Sequence, residues 1–127
     1  MNRFFGSRSK KNKYGNKKIV IDGIKFDSKK EGKKYLQLKI MKRGGQIKNF
    51  ELQVKFELQP KFEKDGYKYR AIVYRADFVV TDWDDKKRII EIKPFSKKKN
   101  KFLYTKEFAI KQKMFDFKYP ELPMHIE

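Results

Sequence analysis

From Ile47 to Lys93 the sequence alternates, and that alternation restricts the fold more than any other feature. Leu52, Val54, Phe56 and Leu58 stand between Gln53, Lys55, Glu57 and Gln59. Further on, Ile72, Tyr74, Ala76, Phe78 and Val80 stand between Val73, Arg75, Asp77 and Val79. A period of two sends successive side chains to opposite faces of a strand and does not line one face of a helix. The pattern predicts a strand over Ile47–Gln59 with one buried face, ended by Pro60. A turn at Asp65-Gly66 leads to a long strand from Tyr67 to Thr81, with Ile72, Tyr74, Ala76, Phe78 and Val80 on one face. The polar stretch Asp82-Trp83-Asp84-Asp85 then turns the chain into a third strand over Lys86–Lys93, antiparallel to the second.

Helical signals flank this block. Ser28-Lys29-Lys30-Glu31 matches a capping box, and a helix follows from Lys29 to Arg43 until Gly44-Gly45 stops it. Glu31, Tyr35 and Leu38 share one of its faces. A second helix over Tyr104–Tyr119 carries Phe108, Lys111 and Phe115 at helical spacing, and Pro120 and Pro123 break it. Met124–Ile126 reads as a short final strand. Residues 19–26, IVIDGIKF, read as a small ribbon around Asp22-Gly23, and residues 95–101, FSKKKNK, as a basic loop. The order is helix, three strands, helix, strand. The fold class is therefore α/β, a central mixed sheet flanked by helices, in one domain over residues 19–127. Residues 1–18 are basic and aperiodic. They read as a flexible arm whose Lys10, Lys11 and Lys13 can touch phosphates.

The 127 residues hold 34 Lys plus Arg against 16 Asp plus Glu, a formal net charge of +18. Self-repulsion of that size opposes compaction, so a polyanionic partner is the simplest reason to keep it, and nucleic acid is the first candidate. A membrane surface is the second, but no strongly amphipathic basic helix stands out. Apolar runs are only a few residues long, too short to span a bilayer, and the basic N-terminus lacks the apolar stretch of a secretory signal. With no cysteine, disulfides and cysteine-held zinc are excluded. A lone His125 argues against a histidine metal site or a Ser-His triad.

Within the third strand, Arg88 to Pro94 reads RIIEIKP. Ile89, Ile90 and Ile92 suit a buried strand, yet Glu91 and Lys93 put an acid and a base on one face of it. Asp77 lies on the neighbouring strand, across a tight turn. If the first helix packs on that side, Glu31 joins them. Three carboxylates so placed repel one another unless a cation sits between them. An all-oxygen donor set suits a hard ion such as Mg2+, which acidifies water and offsets charge on a phosphate. A lysine beside such an ion can orient or deprotonate that water. Metal, water and basic surface together point to phosphodiester hydrolysis.

This constellation resembles the PD-(D/E)XK nuclease superfamily, in which an acid on the first core helix, an Asp on the second strand and an E-x-K on the third build the site. Here those positions are Glu31, Asp77 and Glu91-Ile92-Lys93, with Ala76 where the motif's proline stands. The blocks SKKEGKKYLQL, GGQIKNFELQVKFELQP, YRADFVV, IIEIKP and AIKQKMF resemble a family of small phage proteins of unknown function (DUF1064), over roughly residues 10–120. Phage Holliday-junction resolvases and a transposon nuclease are similar in layout. The resemblance implies a restriction-endonuclease-like core and a Mg2+-dependent DNA endonuclease, with Mn2+ able to substitute. Asp77, Glu91 and the Ile92 carbonyl would hold the metal. Glu31 would bind a second metal or a metal-bound water, and Lys93 would position the attacking water. The phage-like relatives imply branched or double-stranded DNA as partner, recombination or replication as setting, and the cytoplasm of a bacterial host as location. A homodimer follows if nicks are paired.

Plainer roles exist for the same residues. Glu31 can cap its helix, Asp77 can pair with Arg75 or a lysine, and Glu91 with Lys93 can form a surface salt bridge. Gln53 is a possible site residue or an ordinary strand polar. Lys97, Lys98 and Lys99 follow the E-x-K strand and read as phosphate contacts or a solvated loop. Lys111, and more weakly Lys113, can contact phosphate or snorkel. Phe108 and Phe115 read as core rather than base-stacking platforms. Asp82, Asp84 and Asp85 lack the spacing of a calcium loop and read as a turn. The competing functional classes are a non-catalytic nucleic-acid-binding protein with the nuclease fold and a basic structural protein of a virion. A pure binder has no need of the acid-acid-lysine set.

Overall fold

The computed structural model describes residues 17–127. Lys10, Lys11 and Lys13, with most of the basic arm, lie outside the described residues. Ser28 Oγ accepts a hydrogen bond from the Glu31 N–H at 3.1 Å, and α1 (Lys29–Arg43) starts there as the capping pattern predicts. Gly45, at φ +77°, follows its end. Before it, β1 (Ile19–Ile21) and β2 (Ile24–Phe26) form an antiparallel ribbon, its turn made by Asp22 and Gly23 at positive φ. This ribbon rests on α1 at Gly32, where a β-carbon would lie 2.5 Å from Ile19 Cδ1 and 2.8 Å from Ile21 Cδ1. The helix glycine thus provides the close approach.

Three strands follow in the expected order: β3 (Asn49–Gln59), β6 (Ile72–Thr81) and β7 (Lys87–Glu91). Between β3 and β6 the chain makes a separate hairpin, β4 (Phe62–Lys64) with β5 (Tyr67–Tyr69). The single long strand expected over Tyr67–Thr81 is therefore two strands, interrupted at Arg70-Ala71. The loop expected at 95–101 contains a minimal hairpin, β8 (Phe95–Ser96) with β9 (Lys101–Phe102), closed by the Phe95–Phe102 ring contact at 5.0 Å. Then α2 (Lys106–Lys118), capped by Thr105, precedes β10 (Met124–Ile126). The main sheet has the order β10-β7-β6-β3. β6 runs antiparallel to both β3 and β7, while β10 runs parallel to β7. This is the predicted α/β class: a central mixed four-stranded sheet with two helices, compatible with a restriction-endonuclease-like core. Among the described residues, no helix is long and apolar enough to cross a membrane.

Each helix covers one face of the sheet. Leu38 and Tyr35 of α1 pack with Ile47, Phe78, Val80, Ile90 and Ile92. Phe108 and Phe115 of α2 pack with Tyr74, Ala76, Val79 and Ile89 on the other face. Fully buried side chains such as Leu38, Ile90 and Phe115 each stabilise the fold by roughly 1.5–3 kcal/mol.

These clusters correct the expected faces. Tyr74 and Ala76 pack beneath α2, whereas Phe78 and Val80 pack beneath α1. The same reversal occurs in β3, where Phe50 and Leu52 join α1 and Val54 and Phe56 join α2. The reversal falls between the pairs Leu52↔Phe78 and Val54↔Ala76, at Gln53 and Asp77. Gln53 has φ +52°, a left-handed conformation that resets the alternation as a bulge does. The apolar series at even positions runs unbroken through both strands, so the period itself does not mark the switch.

Candidate active site

Asp77 sits at that reversal. The β6–β7 ladder ends at the pair Phe78↔Ile90, and Asp77 Oδ2 accepts the next N–H, that of Ile92, at 2.8 Å. The carboxylate thus takes the place of a ladder carbonyl. The rest of β6, from Ile72 to Ala76, pairs with β3 alone. Its free edge opens a groove beside the end of β7.

Glu91 and Lys93 leave β7 on the α2 side of this groove. Glu91 is buried, and a buried acid without partners is costly. Here Tyr74 Oη donates to its Oε1 at 2.5 Å, and Lys93 Nζ lies 3.2 Å from its Oε2. The Lys93 ammonium also lies 4.1 Å from the Phe108 ring centre, which fixes its position further. Burial, then the Glu91 charge, holds the Tyr74 hydroxyl well above its usual pKa, so it remains a donor.

Glu31 reaches the same place from the first turn of α1. Its backbone N–H completes the Ser28 cap, and its carboxyl takes a hydrogen bond from the Asp27 backbone. Glu31, Asp77, Glu91, Ile92 and Lys93 line one open cavity of about 460 Å³. Burial first, then the charges of Asp27 and Glu91, pushes Glu31 up to about 7. Burial, then Glu91 and Glu31, pushes Asp77 up to about 8. These acids therefore lack enough positive charge nearby, and an all-oxygen donor set in that condition fits a hard divalent cation. Among the described residues, no three acid, histidine or cysteine side chains are already clustered in ligating arrangement. Glu91 is turned to Tyr74 and Lys93, and Asp77 to Ile92.

The other sequence candidates divide. Gln53 Nε2 lies 3.5 Å from Asp77 Oδ1, beside the site but exposed. Lys111 lines a second cavity, of about 510 Å³, that also includes Glu91 and Lys93, and it pairs with Glu107 at 3.3 Å. Lys97, Lys98 and Lys99 stand exposed on the β8–β9 turn, and Lys113 is exposed on α2. Phe108 and Phe115 are core, as expected.

Two residues escaped the sequence reading. Tyr74 looked like core from its alternation, yet its hydroxyl holds Glu91. Lys30 had no reading beyond its place in the capping pattern, yet its Nζ donates to the Lys93 carbonyl at 2.7 Å, and burial lowers its pKa. The only signal for Lys30 was its place in the turn that supplies Glu31.

No curated protein and no solved structure matches the chain. The family model described as "Protein of unknown function (DUF1064)" matches residues 11–127, and the chain belongs to that family.

Proposed function

We propose that this protein is a Mg2+-dependent DNA endonuclease of the PD-(D/E)XK type, acting on branched DNA. The observation that carries this reading is the convergence of Glu31, Asp77, Glu91 and Lys93, from one helix and two strands, on a single open cavity. The net charge of +18 supplies the affinity for a polyanion.

In this reading Asp77, Glu91 and the Ile92 carbonyl would hold the ion, and Glu31 would hold a second ion or its water. A divalent cation bound there supplies positive charge against the phosphate and a more acidic water. Lys93, held as an ammonium by Glu91 and the Phe108 ring, would orient the attacking water. Lys30 braces the backbone at Lys93, and Tyr74 keeps the Glu91 carboxylate placed. Paired nicks at a branch need two such sites and hence a homodimer.

The test is incubation with labelled linear, flapped and four-way DNA, with Mg2+, with Mn2+ and with chelator. Cleavage that requires the ion and falls roughly 10²- to 10⁴-fold in Asp77→Asn and Lys93→Ala is expected. DNA binding without cleavage of any substrate favours the alternative, a non-catalytic nucleic-acid-binding protein that keeps the fold. That alternative has its own support in the present orientation of the acids, which are turned to Tyr74, Lys93 and Ile92.

A further inference from the structure

Among the described residues, no other element packs closely on the β4–β5 hairpin. Every residue from Pro60 to Arg70 is exposed, and the hairpin forms a two-stranded sheet of its own. An isolated two-stranded hairpin is marginal in water. This one closes on Asp65 and Gly66, both at positive φ, and on the stacked rings of Phe62 and Tyr69, 4.6 Å apart and 11° from parallel.

Its pairing sorts the side chains. The pairs Phe62↔Tyr69 and Lys64↔Tyr67 place three rings and one ammonium on one face. Lys61, Glu63, Lys68 and Arg70 fall on the reverse. Tyr67 is 70% exposed, Tyr69 48% and Phe62 43%. Three rings on an unpacked ribbon are not core residues caught at a boundary, and the general +18 charge does not account for them. Among the described residues, none of the four hairpin cations is in an ion pair.

Exposed rings with Lys64 beside them and Lys61, Lys68 and Arg70 along the other side of a thin ribbon match one ligand chemistry well: unpaired bases stack on the rings while the cations meet the backbone phosphates. We propose that this hairpin is a base-stacking probe for single-stranded DNA, the feature that separates a branched substrate from a plain duplex. The inference rests on the nucleic-acid reading above and names which part of the substrate is sensed. Tyr69 precedes Asp77 by eight residues, so even a fully extended chain keeps their Cα atoms within roughly 29 Å. One molecule can therefore touch an open strand and a nearby phosphodiester together.

The experiment measures binding of the full chain, in chelator, to a fluorescent single strand, a four-way junction with unpaired bases and a blunt duplex of matched length. Replacing both tyrosines, Tyr67→Ser with Tyr69→Ser, is expected to weaken binding to the strand and the open junction roughly tenfold per stacked base lost. Duplex binding should change less than about twofold. Tyr67→Trp with Tyr69→Trp keeps the rings and is expected to bind the strand at least as well as the unaltered chain. Unchanged binding by the serine variant overturns the proposal, as does equal weakening on all three probes. If the unaltered chain binds none of them, the nucleic-acid reading itself fails, and the probe with it.

Discussion

Glu31 and Asp77 share one electrostatic problem. Each is taken out of water beside other acids, and their ionisation moves to about 7 and about 8. In the unfolded chain both ionise near pH 4. From there upward the unfolded state releases protons that the folded state retains, so stability falls as pH rises and the loss is complete only above pH 8. Glu31→Gln and Asp77→Asn are therefore expected to raise the melting temperature at pH 8.5 and to leave it unchanged below pH 4, which thermal melts across pH will show. Tyr74→Phe acts in the opposite direction. It strips the buried Glu91 carboxylate of a donor and should cost roughly 1.5–3 kcal/mol, read as a lower urea midpoint.

At the scale of elements, the switch at Gln53 and Asp77 decides where the site opens. Gln53 holds φ +52° within a strand, a conformation a β-branched residue tolerates poorly. Gln53→Gly is expected to keep or slightly raise stability, while Gln53→Val loses roughly 1–3 kcal/mol and misplaces Asp77, lowering any nuclease rate with it. The capping hydroxyl is a second lever. Ser28→Ala should cost about 1 kcal/mol and loosen the turn that carries Lys30 and Glu31. Both helices and the final strand were legible because caps, glycines, prolines and period are local signals. The face reversal was not, since the apolar series at even positions continues on both sides of it. The turn at Asp65-Gly66 was legible, but the break at Arg70-Ala71 that makes 62–69 a separate hairpin was not, because Tyr and Phe in an alternating run look alike whether or not anything packs on them.

For the whole molecule, the acids and the net charge pull in different directions, and two solution measurements separate them. Mg2+ is expected to raise the melting temperature more at pH 8.5 than at pH 6, because the cation needs Glu31 and Asp77 ionised. DNA affinity is expected to fall steeply and linearly on a log–log plot against salt, since many lysines displace counterions. A flat salt response would separate the charge from DNA binding.

The sequence by itself determined the α/β order, the position of α1, the burial of the Ile89-Ile90-Ile92 strand and the acids and lysine worth watching. These follow from local propensity and from charged residues set where strands are otherwise apolar. Only the tertiary structure decided that α1 and α2 cover opposite faces with Asp77 at the reversal between them. It also decided that Tyr74 and Lys93, rather than the other acids, hold Glu91 in this conformation, and that three aromatic rings at 62–69 remain in solvent. The physical reason is common to all three: each depends on what lies across space from a residue, and one residue's pattern along the chain is the same whichever neighbour it meets.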